Sequence, residues 1–224
     1  MAKNKNLKAV FWILGLFAVC ICAVFLGGGP GRESMGHEGD QRLMTTTLDT
    51  ATFAAGCFWC VEAVFQELKG VQSVVSGYTG GTVENPSYEE VCTGSTGHAE
   101  ACMITYDPSV ITYAELLEVF WKTHDPTTLN RQGNDTGTQY RSAIFYHNDE
   151  QKRLAEHYKK ELDSAGAFDA PIVTEIAPFT KFYKAENYHQ NYYNDHGAQP
   201  YCVFVIRPKV AKFRKVFKDK LKDH

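Results

Sequence analysis

Gly56-Cys57-Phe58-Trp59-Cys60 stands between an apolar run, Thr52-Phe53-Ala54-Ala55, and a stretch in which Cys57, Cys60, Val61, Val64, Phe65 and Leu68 recur at helical spacing. The first run predicts a brief buried strand, the second an amphipathic helix that begins at or just after Gly56. Cys57 then lies in the first helical turn, where unpaired backbone N–H groups and the positive end of the helix dipole stabilise an anion. A thiol so placed is expected to ionise more readily than a free cysteine, and the thiolate is the nucleophile. Phe58 and Trp59 fall off the apolar stripe, so core packing does not account for them. A flat aromatic pair beside a thiolate suits a pocket for a methyl or thioether group, held by apolar and sulfur–aromatic contact.

Downstream, Lys69-Gly70 is expected to end the helix. Residues 71–78 and 98–106 read as strands, and a loop rich in Gly, Asn and Pro is expected over residues 80–86. Thr112 and Glu115 form a capping box ahead of Tyr113, Leu116, Leu117 and Phe120. Residues 125–140 have no period and are polar, and so long a structureless connection is usually functional or disordered. A strand at 141–147 precedes a helix capped by Asn148, and another strand is expected at 171–177. An aromatic stretch at 183–195 and an apolar run at 201–206 then lead to a basic helix with Val210, Phe213, Phe217 and Leu221 on one face, read as docked by that face. Some neighbouring strands lack a crossover helix, which favours an α+β two-layer sandwich.

Upstream the composition changes. Eighteen apolar or small residues, 9–26, follow Lys3, Lys5 and Lys8, and no charge occurs between Lys8 and Arg32. As a helix this run reaches roughly 27 Å, close to the hydrocarbon thickness of a bilayer. It exceeds a typical signal-peptide core, so hydropathy predicts a cytoplasmic N-terminus (residues 1–8) and a transmembrane anchor (9–29). A flexible tether (30–48) and a domain at 49–224 outside the cytoplasm follow, with cleavage and secretion as the alternative. Cys20 and Cys22 are read as packing within that span. Residues 49–224 carry 18 basic and 23 acidic side chains, and an acidic body argues against a nucleic-acid partner. There is one CxxC and no second, and His98, His189 and His196 lack ligand spacing, so no metal site is expected.

Cys57 and Cys60 at a helix start suggest thiol–disulfide redox by themselves. Glu100, in Gly97-His98-Ala99-Glu100-Ala101, is a charge inside an apolar strand. Turned inward, it would be kept protonated by burial and could act as an acid; turned outward, it would be an ordinary surface residue. Tyr88 and Tyr140 have loop settings from which a hydroxyl could donate to an oxygen, and Asp135 could orient a tyrosine or a water.

Four motifs in order, Gly56-Cys57-Phe58-Trp59-Cys60, Gly77-Tyr78-Thr79-Gly80-Gly81, Gly94-Ser95-Thr96-Gly97-His98-Ala99-Glu100 and Gly137-Thr138-Gln139-Tyr140-Arg141-Ser142, resemble those of the A-type peptide methionine sulfoxide reductases. The resemblance runs from about residue 52 to the C-terminal helix and leaves the N-terminal span outside it. It implies a ferredoxin-like two-layer α/β sandwich with long coil segments, no metal and no organic cofactor. It also implies a monomer that reduces the S-sulfoxide of methionine, free or in proteins, with a thioredoxin-like dithiol as donor. By the same resemblance Cys57 attacks the sulfoxide sulfur and becomes a sulfenic acid. Glu100 protonates the oxygen, Tyr88 and Tyr140 donate to it with Asp135 nearby, and Phe58 and Trp59 receive the methyl group. Either Cys60 or Cys202, in Gln199-Pro200-Tyr201-Cys202, then resolves the sulfenic acid, with Cys202 preferred; Cys92 and Cys102 are read as buried structural thiols. The competing readings are a membrane-tethered thiol–disulfide oxidoreductase using the CxxC and a non-catalytic metal- or partner-binding module.

Overall fold

The computed structural model describes residues 47–223. The N-terminal segment, the span at 9–29 with Cys20 and Cys22, and the tether up to residue 46 lie outside the described residues.

The fold is mixed α/β around a six-stranded sheet. Its strands are β1 (Asp49–Ala55), β2 (Val71–Thr79), β3 (Ala99–Tyr106), β6 (Ser142–Tyr146), β7 (Glu175–Pro178) and β8 (Phe182–Lys184). They lie in the order β7-β6-β1-β3-β2-β8, and only the β6–β7 pair is parallel. Between them run α1 (Phe58–Phe65), α2 (Tyr88–Cys92), α3 (Tyr113–Thr123) and α4 (Asp149–Ser164). Two short strands, β4 (Arg131–Gln132) and β5 (Asp135–Thr136), pair with each other, and α5 (Tyr192–Asp195) and α6 (Arg207–Val216) complete the chain.

The sequence explains most of these elements locally. Thr112 and Glu115 cap α3 reciprocally, Asn148 accepts from the Gln151 N–H at the head of α4, and Ser87 with Glu90 forms a second capping box that starts α2. That short helix, just beyond the loop expected at 80–86, has no counterpart in the sequence pattern. Helix α1 ends at Phe65, before Lys69-Gly70, because residues 66–70 turn to pair with the C-terminus, Leu68 bridging to Leu221. Residues 125–140 are less irregular than their composition suggests, since β4, β5 and a 3-10 turn at Thr138–Tyr140 order them. The strand expected at 171–177 begins only at Glu175.

β1 is the middle of the molecule. Ala51, Phe53 and Ala55 face α1 and α3, where the Phe53 ring lies 5.1–5.9 Å from Phe65, Tyr113 and Phe120. Truncating such a residue to alanine typically costs about 3–5 kcal/mol. The other face carries Ala54, Ala99, Ala101, Ala143 and Phe145 under Phe179 and Phe182. The basic helix α6 docks as its pattern predicts, with Val210, Phe213 and Phe217 buried and Arg214 held in a two-pronged ion pair by Glu67.

β1 passes into α1 through Gly56, at φ +89°, where a side chain is strained. A Cβ there would also come within 2.6 Å of the Gln132 side chain, which is itself tied to the Asp125 backbone. Gly56→Ala is therefore expected to destabilise the protein by about 1–3 kcal/mol and to displace β4. Denaturant melts and hydrogen exchange across residues 125–140 measure both effects; wild-type stability would contradict them.

Candidate active site

Cys57 is the N-cap residue of α1 and is 8% exposed. Its carbonyl accepts the Cys60 N–H at 3.0 Å, and the first free N–H of the helix, that of Phe58, donates to Glu100 Oε2 at 3.0 Å. Glu100 shares a face of β3 with Cys102, Ile104 and Tyr106, so strand register turns it inward, and it is 1% exposed. Burial pushes its pKa up to about 8; the Asp135 charge adds to this and the Phe58 N–H opposes it. A carboxyl in that state is a neutral acid at physiological pH.

The other residues singled out in the sequence converge on the same spot. Tyr88, the first residue of α2, is held un-ionised by burial, then by the neighbouring Cys92 and the charge of Glu100. Tyr140, at the end of the 3-10 turn, is held un-ionised by burial and then by Glu100 and Cys57. Asp135 in β5 accepts a 2.7 Å hydrogen bond from the Tyr201 hydroxyl, which also approaches Cys60 Sγ at 3.9 Å. Phe58 is fully buried, against expectation, because its ring sits among Tyr78, His189 and Trp59. Trp59 is half-buried and forms a wall, donating from Nε1 to His189 Nδ1 at 3.2 Å and stacking on Tyr192 with 3.7 Å between ring centres. Cys202 is buried in a π-helical turn, Cys202–Ile206, with Cys60 among the groups that raise its pKa.

Two thiol expectations are corrected. Burial, followed by the hydrogen bond with Cys60 and the charge of Glu100, holds the Cys57 thiol above its ordinary value, so the helix start alone does not ionise it. The same hydrogen bond brings Cys60 down to about 7. The two thiols titrate as a pair, and the hydrogen bond between them stabilises its first anion. Cys102 is buried, its Sγ 3.5 Å from the Phe58 carbonyl, but Cys92 is exposed because it closes α2 on the solvent side.

Four contributors escaped the sequence reading: Tyr201, His189, Glu62 and Glu186. Glu186 holds the Tyr78 hydroxyl and the Tyr88 N–H, both at 2.9 Å. For His189 and Glu186 the only signal was membership of the unusually aromatic, polar stretch at 183–195, while Glu62 in α1 and Tyr201 in the apolar run gave none. Among the described residues there is no group of three or more His, Cys, Asp or Glu side chains able to hold a metal ion.

The family described as peptide methionine sulfoxide reductase matches residues 49–221. The chain belongs to that family. It is similar to peptide methionine sulfoxide reductase MsrA of Saccharolobus solfataricus, 55% identical over 177 residues that span 79% of this chain and 99% of the relative. Among solved structures it resembles reduced Mxr1 of Saccharomyces cerevisiae, with TM-score 0.66, 36% identity and coverage of 70% of this chain and 91% of that one. It also resembles methionine sulfoxide reductase A of Corynebacterium diphtheriae, with TM-score 0.62, 37% identity and coverage of 78% and 89%. This reductase is thus an oxidoreductase that reduces methionine sulfoxide with thiols.

The membrane-anchored, extracytoplasmic location expected from hydropathy is corrected. With 99% of its length matched, the Saccharolobus relative has no room for an anchor like residues 9–29. Among the described residues no helix is long and apolar enough to cross a membrane.

Glu100 also predicts a pH signature in stability. Its folded pKa is raised above the unfolded value, so the stability it contributes is complete below about pH 4.5 and is lost as pH rises toward 8. Glu100→Gln removes that loss. The stability of the variant relative to the wild type, read from paired thermal melts, should increase between pH 5 and 8 by up to about 1.4 kcal/mol per pH unit. A constant margin in paired thermal melts would show that Glu100 is not the group responsible.

Proposed function

We propose that the enzyme reduces methionine S-sulfoxide, free or in oxidised proteins, with Cys57 as nucleophile and Glu100 as acid. The observation that carries this reading is the Phe58 N–H bond, which holds a buried, neutral carboxyl at the start of the helix whose N-cap is the thiol. In the resting pair Cys60 takes the shared proton as Cys57 attacks the sulfoxide sulfur. Glu100 gives its proton to the sulfoxide oxygen, with Tyr88 and Tyr140 donating to it and Asp135 fixed by Tyr201 beside them. The S–O bond breaks and the hydroxyl passes to the Cys57 sulfur, the bond between that sulfur and the substrate sulfur breaks, the thioether of methionine leaves along the Phe58–Trp59 wall, and Cys57 is left as a sulfenic acid. Cys60 then attacks the Cys57 sulfur, its thiol proton passes to the departing hydroxyl so that water leaves, and a Cys57–Cys60 disulfide forms, while Glu100 regains its proton from solvent. The sulfoxide is reduced by two electrons and the thiol pair is oxidised by two, so a dithiol of the thioredoxin class must reopen the bridge.

The closeness of the two residues in the first turn of α1, where the Cys60 N–H meets the Cys57 carbonyl at 3.0 Å, favours Cys60 over Cys202 as the first resolving residue, reversing the preference from the sequence. The four central strands, in the order β6-β1-β3-β2 and all antiparallel, support a ferredoxin-like reading of the sheet. A plain thiol–disulfide oxidoreductase would need neither the neutral acid nor the aromatic wall.

Cys57→Ser is expected to abolish turnover, and Glu100→Gln to lower kcat by about 10²–10⁴-fold and to erase a decline in kcat/KM above pH 8. The assay is a coupled reduction of the separate S- and R-sulfoxides; full activity of Cys57→Ser, or turnover of the R epimer alone, would refute the assignment. Peptide mapping after one equivalent of sulfoxide should find Cys57 joined to Cys60. A Cys57–Cys202 bridge as the first product would restore the other order.

A further inference from the structure

We infer that Glu62 is a positioning residue for the substrate wall: its buried carboxylate fixes the backbone at Asn191 and Tyr192, so that the Tyr192 ring lies flat against Trp59. This rests on the reading of Trp59 as the surface that receives the methyl group.

Glu62 occupies the second turn of α1, one turn beyond Trp59, and is 3% exposed. A carboxylate so deep inside a protein needs partners. It has two that belong to a distant segment, the Asn191 N–H on Oε1 at 2.9 Å and the Tyr192 N–H on Oε2 at 3.3 Å. Both donors sit at a corner that the backbone does not favour by itself, for Asn191 has φ +55°. The corner begins a helix of only four residues, Tyr192–Asp195, with no side-chain cap of its own. Upstream the chain is tied to β2, where Gln190 bonds both the N–H and the carbonyl of Ser76.

What the corner delivers is Tyr192. Its ring is 3.7 Å from that of Trp59, centre to centre, and inclined by 7°. On the other side His196 stacks on Tyr192 at 4.5 Å, and the edge of Tyr201 meets Trp59 at 5.8 Å. Trp59 is thus gripped by its Nε1 bond to His189 and by the face of Tyr192. One turn of α1 carries the wall and the next carries the carboxylate that sets the wall's backing, so the two move as one piece.

Glu62→Gln puts an amide NH2 opposite one of the two backbone N–H donors and releases the corner, while Cys57 and Glu100 are untouched. KM for a methionine sulfoxide peptide should rise about tenfold, with kcat falling less than threefold. Tyr192→Ala should raise KM similarly, and adding Glu62→Gln to it should cost under twofold more, since both act through one contact. Additive increases, or an unchanged KM in folded Glu62→Gln protein, would overturn the inference. If Glu62→Gln does not fold, Tyr192→Ala decides, because an unchanged KM there removes the link between corner and wall. Trp59→Ala separates the two claims: a KM equal to wild type refutes the wall itself, whereas a raised KM alongside an unaffected Glu62→Gln refutes only the role of Glu62.

Discussion

A single hydrogen bond, from the Phe58 N–H to the Glu100 carboxyl, joins the start of a helix to the middle of a sheet, and the site is arranged about it. The donor belongs to the end of α1 that attracts negative charge, and the acceptor lies on the inward face of β3. The bond would favour an ionised carboxylate, but burial outweighs it and the group stays protonated near neutral pH. A surface glutamate at the same helix end would be a permanent anion and would repel a thiolate next to it. In this setting the carboxyl is neutral when the thiol must be charged.

The same enclosure that makes Glu100 an acid works against Cys57 as a nucleophile. Taking a thiol out of water disfavours its anion, and the helix start offsets only part of that cost. The second thiol in the motif answers the difficulty, because a hydrogen bond between two sulfurs stabilises one charge shared by both. Cys60 therefore has a part before any disulfide exists. Tyr201 joins this group from the far end of the chain, tying the thiol pair to Asp135 with one hydroxyl.

Local rules made much of the fold legible. Capping residues at Thr112 and Asn148, the apolar stripes of α3 and α6 and the strand–helix junction at Gly56 are encoded within a few residues of where they act. The inward register of Glu100 could be posed but not decided, since a period of two fits either face until β1 and β2 are seen to flank β3. Tyr201, His189 and Glu62 were illegible for a different reason. Each acts on a partner 66 to 141 residues away, and nothing in a hydroxyl, an imidazole or a helical glutamate announces which distant group it will meet. The ionisation of Cys57 was misjudged because helix position is visible in sequence and depth of burial is not. The exposure of Cys92 was hidden because a helix of five residues is too short to show a periodic apolar stripe.

The reach of these contacts has a bearing on how the enzyme is made. Chains emerge from the ribosome N-terminus first, and domains fold as units once enough of the chain is available. The CxxC is among the earliest parts of the domain to appear, whereas Tyr192, Tyr201 and the Asn191 corner come almost last. A nascent chain thus displays two neighbouring thiols without the wall, the tyrosine clamp or the enclosure that makes Glu100 an acid. Completion of the C-terminal segment turns a pair of ordinary cysteines into a selective reductase.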